Sequence, residues 1–204
     1  MVNIYLVRHA QSTGNVEKRL TGREEYLLTL DGKKQVEKLT NSLKNIKFEK
    51  AYSSPSIRAI DTIKSLAKLN NLEIEIKEEL SEMYFGIYDG FIWEEVNKID
   101  PIIHEEHVKT NEIKGILNQE SSEQVADRMY KIISEIALEN PRRTVLIASH
   151  GVAIEAFLRK ITKVPFLLQR EEYSQKNTSI NIIQYDEEKN EYQLKELNSI
   201  KHLE

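Results

Sequence analysis

The sequence predicts an α/β fold, a three-layer α/β/α sandwich around a mostly parallel central sheet. Three observations carry this. Short apolar runs rich in β-branched residues alternate along the chain with stretches whose apolar residues recur at helical spacing. Two of the runs, Val2–Val7 and Thr144–Ala148, read as buried strands, the second being the clearest in the chain. The length of 204 residues, 40% of them hydrophobic, suits a single domain with one core.

The elements follow in order. Val2–Val7 is the first strand. Residues 8–28 are polar and irregular, with Gly14 and Gly22, and read as a long loop. Val36, Leu39, Leu43 and Ile46 predict a helix from about Asp31 to Asn45. A short strand follows at Lys50–Ser53. Ser54-Pro55 has the form of an N-cap with proline at the first helical position, opening a helix that runs to about Leu69. Leu72–Lys77 alternates apolar and acidic residues and reads as a strand with one polar face. Residues 83–120 read as an insertion, a cap segment with short helices such as Ile92–Ile99, lying over the sheet edge. Ser121 and Gln124 form a capping-box pattern that starts the next helix, with Val125, Met129, Ile132, Ile133 and Ile136 on its buried face. After the Thr144–Ala148 strand comes a helix over Val152–Lys160. Ile180–Tyr185 and Glu191–Leu197, separated by Asp-Glu-Glu-Lys-Asn, read as a closing hairpin. One domain over 1–204 with an insertion at about 83–120 is expected.

Composition removes several classes. Charges of both signs are mixed, with 29 Lys+Arg against 33 Asp+Glu, and no basic stripe suggests nucleic-acid binding. No window approaches a membrane-spanning length, and the N-terminus lacks the pattern of a signal peptide. Cysteine is absent, so there is no disulfide framework, thiolate metal site or cysteine nucleophile. This is compatible with a reducing compartment, and a cytoplasmic location is expected. Glycine and histidine are scarce, at 7 and 5 residues, so their positions are informative.

In parallel sheets, ligands bind beyond the carboxyl ends of the strands. Arg8-His9 follows the first strand. Ser53-Ser54-Pro55 follows the second, with Arg58 in the first turn of the next helix. Glu82 follows the third, and Ser149-His150-Gly151 follows the strongest. Taken singly, each is ordinary loop or surface chemistry. Five ionisable groups at predicted strand ends are not what surface residues produce. Together they suit a phosphate monoester, a near-dianion at neutral pH. Arg8 and Arg58 can grip it with bidentate hydrogen bonds, Arg58 near a helix N-terminus that itself favours anions. A neutral histidine can attack phosphorus, and a second, if protonated, would neutralise the equatorial oxygens. A carboxyl group that holds its proton can pass it to the leaving oxygen, and Glu82 takes that part. The scheme needs neither metal nor cofactor.

These residues lie in four ordered blocks: Arg8-His9-Ala10-Gln11-Ser12-Thr13-Gly14-Asn15, Ser53-Ser54-Pro55-Ser56-Ile57-Arg58-Ala59-Ile60-Asp61-Thr62, Leu80-Ser81-Glu82 with Phe85-Gly86 and Gly90, and Ala148-Ser149-His150-Gly151. On them the chain resembles the histidine phosphatase superfamily, the phosphoglycerate mutase-like proteins. The resemblance implies that His9 is the nucleophile, that Arg8, Arg58 and His150 bind the phosphoryl group, and that Glu82 donates the proton. Asn15 and Arg23 match loop positions that help hold phosphate or substrate, and the backbone of Gly151 is a further phosphate neighbour. Two positions depart from the family pattern. Ala10 replaces a glycine, tolerable unless the backbone needs φ > 0, and Gln11 replaces a glutamate.

Phosphatase and mutase share this chemistry. In the mutase branch extra cations hold a bisphosphorylated intermediate. Here Glu82 is followed by Met83-Tyr84-Phe85-Gly86, and Asp100–Glu120 contains no arginine. A pocket roofed by Phe85, Tyr88, Phe91 and Trp93 would favour water as acceptor, although each aromatic also suits the core of the insertion. The favoured reading is therefore a metal-independent phosphatase acting on a small phosphorylated metabolite. A cofactor-dependent phosphoglycerate mutase is the close alternative, and a non-catalytic phosphate-binding relative is a third. His104-Glu105-Glu106-His107 has i, i+3 spacing, unlike the zinc-protease helix, and reads as a solvated face. His202 carries no signal. The need for protonated Glu82 and neutral His9 predicts a bell-shaped pH–rate profile with an acidic-to-neutral optimum.

Overall fold

In the computed structural model, which describes residues 1–103, 105, 115–164 and 173–204, six strands form one sheet. They are β1 (Val2–Arg8), β2 (Lys50–Ser53), β3 (Ile74–Ile76), β4 (Thr144–Ser149), β5 (Ile180–Asp186) and β6 (Glu191–Ser199), in the order β3-β2-β4-β1-β5-β6. The first four are parallel, and the β5–β6 hairpin closes the sheet antiparallel to β1. The α-helices whose bounds lie among the described residues are α1 (Thr13–Val16), α2 (Leu30–Leu43), α3 (Ile57–Leu69), α4 (Trp93–Ile99), α5 (Ser122–Glu139) and α6 (Gly151–Thr162).

The three layers follow from period-two alternation in strands buried on both faces. Leu146 and Ala148 of β4, with Val7 of β1, meet Leu39 and Leu43 of α2 and Ala59, Ile63 and Leu66 of α3. Val145 and Ile147, with Ile4 and Leu6, meet Met129, Ile133 and Ile136 of α5 and Ala153, Ile154 and Phe157 of α6. Each large apolar side chain so buried contributes roughly 1.5–3 kcal/mol. The capping box expected at α5 is present: Gln124 N–H donates to Ser121 Oγ at 3.2 Å, and Ser121 N–H to Gln124 Oε1 at 2.8 Å. Among the described residues no helix is long and apolar enough to cross a membrane.

Three expectations are corrected. The loop over 8–28 contains one helical turn, α1, where Asn15 Oδ1 accepts from Ser12 N–H at 3.1 Å. The N-cap of α3 is Ser56, not Ser54, and Pro55 lies before the helix. Ser54 is unavailable as a cap because its N–H donates to Ala148 O at 3.2 Å and its hydroxyl meets a histidine ring. Of the insertion aromatics offered as a pocket roof, three turn to the core, and Phe91 lines a cavity with Arg19, Tyr26 and Asp89. Phe85 is buried with Met83, Val96, Ile103 and Ile116 in the core on the α5–α6 side; Tyr88 and Trp93 pack against that core, and Phe91 is exposed. Aromatic and aliphatic residues together thus attach the insertion to the domain. Gly86 allows a close turn there: its φ is +60°, and a Cβ would lie 2.0 Å from Leu117 O. Of the His104–His107 cluster, His104, Glu106 and His107 lie outside the described residues, and Glu105 is exposed.

Candidate active site

The parallel register assembles the site. Arg8 of β1 pairs with Ser149 of β4, so the next residues on each strand, His9 and His150, emerge side by side. Their ring centroids are 5.1 Å apart, and both side chains are buried. β2 pairs with β4 through Ser53 and Ala148, which brings Ser54 and the first turn of α3 to the same edge. Arg8, His9, Arg58, Glu82 and His150, read from four separate places in the sequence, are thus brought together.

His9 is oriented by its own backbone. Its Nδ1 lies 2.8 Å from Ala10 O, a group that can only accept, so Nδ1 carries the proton and Nε2 the free lone pair. Ala10 N–H donates to Thr62 Oγ1 at 2.9 Å, and His9 N–H donates to Ser149 O at 3.0 Å. Ala10 is not among the residues with positive φ, so its Cβ is accommodated without strain. Gln11, the second departure, is turned to structure: Thr29 Oγ1 donates to its Oε1 at 2.7 Å.

Arg58 is buried and Arg8 half-buried, and both are held by carbonyl oxygens. Arg8 Nη1 donates to Gln175 O at 2.5 Å. Arg58 Nη1 donates to Glu24 O at 2.9 Å, and its Nη2 to Thr21 O and Gly22 O at 3.0 Å each. Arg8 Nε, Arg58 Nε and His150 Nδ1 are buried with no hydrogen-bond partner. Buried polar groups are normally satisfied, and these three belong to side chains whose charges act on one another, so an anion could satisfy them together.

Glu82 spans from its loop to the N-terminus of α6. Its Oε1 accepts from Met83 N–H and Ala153 N–H at 2.9 Å each, and its Oε2 from Val152 N–H at 3.1 Å. The loop is clamped by Arg128, which donates to Glu79 O and Ser81 O at 2.7 Å each and to Glu82 O at 3.0 Å. Arg128 also forms a two-point pair with Glu120. A Cβ on Gly151 would lie 3.4 Å from Arg8 Nε and 3.7 Å from Glu82 Oε2, filling the space between the cation and the acid.

Asn15 and Arg23 divide. Asn15 Oδ1 is spent locally, accepting from Ser12 and, at 3.1 Å, from Asn177 Nδ2, which also donates to His9 O at 3.1 Å. Asn15 therefore bears on His9 through Asn177. Arg23 is exposed, stacks 4.6 Å from the centre of the Tyr84 ring, and lines a cavity of about 410 Å³ that reaches Glu82. That cavity is walled by Glu25, Glu78, Glu79, Glu82 and Glu120 against two arginines, Arg23 and Arg128. None of the four aromatics expected as its roof lines it. Sequence reasoning missed Ser54, Thr62, Arg128, Gln175 and Asn177. Ser54 and Thr62 stand inside a recognised block; the other three have no local signal.

Burial, followed by the charges of Arg8 and Arg58, holds His9 well below the usual imidazole range. Burial, Arg58, His9 and Arg8 do the same to His150. The protonated His150 considered from sequence is therefore corrected: both rings are neutral at neutral pH. The linkage has a definite sign. A histidine neutral when folded but titrating near 6.5 when unfolded leaves the unfolded chain with more bound protons below 6.5. Stability is complete above about pH 6.5 and falls as pH drops toward the folded values, by about 1.4 kcal/mol per unit for each histidine. Urea denaturation at pH 7.5 and 5.5 is expected to show this loss, and the double variant His9→Asn/His150→Gln to show less of it. An equal loss in the variant would remove these two rings as its origin.

A family model described as Histidine phosphatase superfamily (branch 1) matches residues 4–198. "Phosphoserine phosphatase 1" of Hydrogenobacter thermophilus is 29% identical over 190 residues, covering 93% of this chain and 90% of that protein. "Probable phosphoglycerate mutase GpmB" of Salmonella paratyphi A is 27% identical, covering 92% of this chain and 86% of its own. Among solved structures, Bacillus stearothermophilus YhfR superposes with a TM-score of 0.93 at 24% identity, covering both chains fully.

Proposed function

The chain belongs to the histidine phosphatase superfamily, branch 1, and is a phosphomonoester hydrolase of the phosphoglycerate mutase-like family; on that premise we propose that it hydrolyses a small phosphomonoester without a metal, through a phosphohistidine on His9. The observation that carries this reading is the set of three buried, unpartnered nitrogens, Arg8 Nε, Arg58 Nε and His150 Nδ1, grouped with a neutral histidine whose Nε2 is free. The phosphoryl group sits among them, its oxygens satisfying the orphaned groups and its charge offsetting the guanidiniums of Arg8 and Arg58.

His9 Nε2 then attacks phosphorus. The N–P bond forms as the ester P–O bond breaks, and the leaving oxygen takes a proton from Glu82. In the second step water attacks phosphorus, the N–P bond breaks, and the water's proton returns to Glu82. Three backbone N–H groups hold the Glu82 carboxyl in place beside the site. A phosphomonoester loses its second proton near pH 6, so its monoanion can itself bring the proton that Glu82 passes on. Arg8, Arg58 and His150 supply the charge neutralisation that other phosphatases take from metals.

The mutase reading asks for cations that hold a carboxylate and a second phosphate. The cavity beside Glu82 instead has five glutamates against two arginines, and Arg128 is already committed to Glu120 and three carbonyls. An acidic wall opposes a bisphosphorylated intermediate and favours release to water. Phosphoserine, in the name of the Hydrogenobacter relative, heads the panel of esters to try. The expected result is hydrolysis of a chromogenic phosphomonoester in excess EDTA, bell-shaped in pH with its acid limb below 6.5. No comparable isomerisation of 3-phosphoglycerate with bisphosphoglycerate is expected. Isomerisation without net hydrolysis would overturn the phosphatase reading, and hydrolysis that requires a divalent metal would overturn the mechanism.

A further inference from the structure

We propose that Ser54 is a positioning residue for the reaction: its hydroxyl fixes the tautomer of His150 so that the nitrogen facing the phosphoryl group is a donor. The proposal rests on the phosphatase reading above. Ser54 Oγ lies 2.7 Å from His150 Nε2, and both residues are fully buried. Ser54 is rigid, because it directly follows β2 and its N–H is bound to Ala148 O at 3.2 Å. The other ring nitrogen, Nδ1, is buried and unpartnered.

A neutral imidazole has one N–H and one lone pair. If the serine O–H donates to Nε2, the proton must sit on Nδ1, and the orphaned nitrogen is an N–H aimed at an anion. If the serine instead accepts from Nε2–H, Nδ1 is a lone pair, and it repels the phosphoryl oxygen that it should bind. Protonating both nitrogens would also give a donor, but the surroundings oppose it. Arg8 and His9 approach from β1, Arg58 from α3 and Arg128 from α5, with Glu82 the acid at the α6 N-terminus. The hydroxyl thus achieves by tautomer what charge cannot, and His150 donates while neutral. It also explains why Ser54 does not cap α3.

The test pairs a spectroscopic readout with kinetics. In ¹⁵N-histidine-labelled protein at neutral pH, with His150 assigned by comparison with His150→Gln, the Nδ1–H form is expected. Ser54→Ala is expected to mix the tautomers and to raise both KM and the inhibition constant for inorganic phosphate about tenfold, the equivalent of one charge-assisted hydrogen bond. Its activity should move to lower pH, where His150 is protonated and donates without help. Ser54→Thr, which keeps the hydroxyl, should restore the tautomer and the phosphate affinity. In a His150→Gln background, Ser54→Ala should have no further effect on either constant. An Nε2–H form in the native protein would overturn the proposal and leave the phosphatase reading standing. So would a Ser54→Ala variant with unchanged tautomer and phosphate affinity. Failure of the native protein to hydrolyse any ester would fall on the phosphatase reading, while the tautomer is still read directly.

Discussion

His9→Ala is expected to lower kcat by about 10⁴-fold or more while leaving the protein folded and able to bind phosphate. The size follows from what is lost. His9 Nε2 is the one lone pair held free in the site, its partner nitrogen fixed on Ala10 O. No other described group there combines nucleophilicity with that position: Arg8 and Arg58 are cations, and Glu82 is surrounded by donors. The binding groups remain, so inorganic phosphate should still protect the variant against urea. A direct signature accompanies the loss. Native protein quenched in base during turnover of a labelled ester should retain acid-labile, base-stable phosphate, and His9→Ala should retain none. Hydrolysis that survives the substitution at more than a hundredth of the native rate would exclude His9 as nucleophile.

Replacing Arg58 is expected to have the second largest effect, on activity and stability together. Its guanidinium is completely buried and holds Thr21 O, Gly22 O and Glu24 O. Arg58→Ala leaves these carbonyls without their donor and opens a large cavity, at a cost of about 3–5 kcal/mol. Arg58→Met keeps most of the volume and separates the roles. It should fold with a smaller loss, yet kcat/KM should fall about 10²–10³-fold because a transition-state cation has gone. Lysine should rescue poorly: one ammonium cannot hold three carbonyls and still face the phosphoryl group as a planar fork does. Urea denaturation and kcat/KM on the same three variants give the comparison. Near-native kcat/KM in Arg58→Met would reduce Arg58 to a structural brace for residues 21–24.

The sequence was most legible where the signal is local. Hydrophobic period separated strands from helices, and Ser121 with Gln124 marked the start of α5. The rule that parallel sheets bind ligands at strand ends picked out Arg8, His9, Arg58, Glu82 and His150 before any resemblance was needed. It failed where one residue serves a distant partner. Ser54-Pro55 has the local form of a helix start, but a histidine 96 residues away claims the serine hydroxyl. The contacts of Asn15 are equally unannounced: its oxygen accepts from Ser12 and from Asn177, 162 residues away. Phe85, Tyr88 and Trp93 have the composition of a binding roof and are used in the core. Arg128 looks like any helical arginine and turns out to clamp the loop that carries Glu82.

The sequence by itself determined the layered α/β fold and the five groups that meet at the sheet edge. Both depend on periodicity and chain order, which the residues carry with them. The tertiary structure alone decided the state of those groups. Neutral histidines, three nitrogens left without partners, a glutamate ringed by donors and an acidic cavity wall are all sums over residues far apart in the chain. Desolvation and hydrogen bonding act through space, so the protonation and tautomer on which the chemistry depends exist only once the chain has folded.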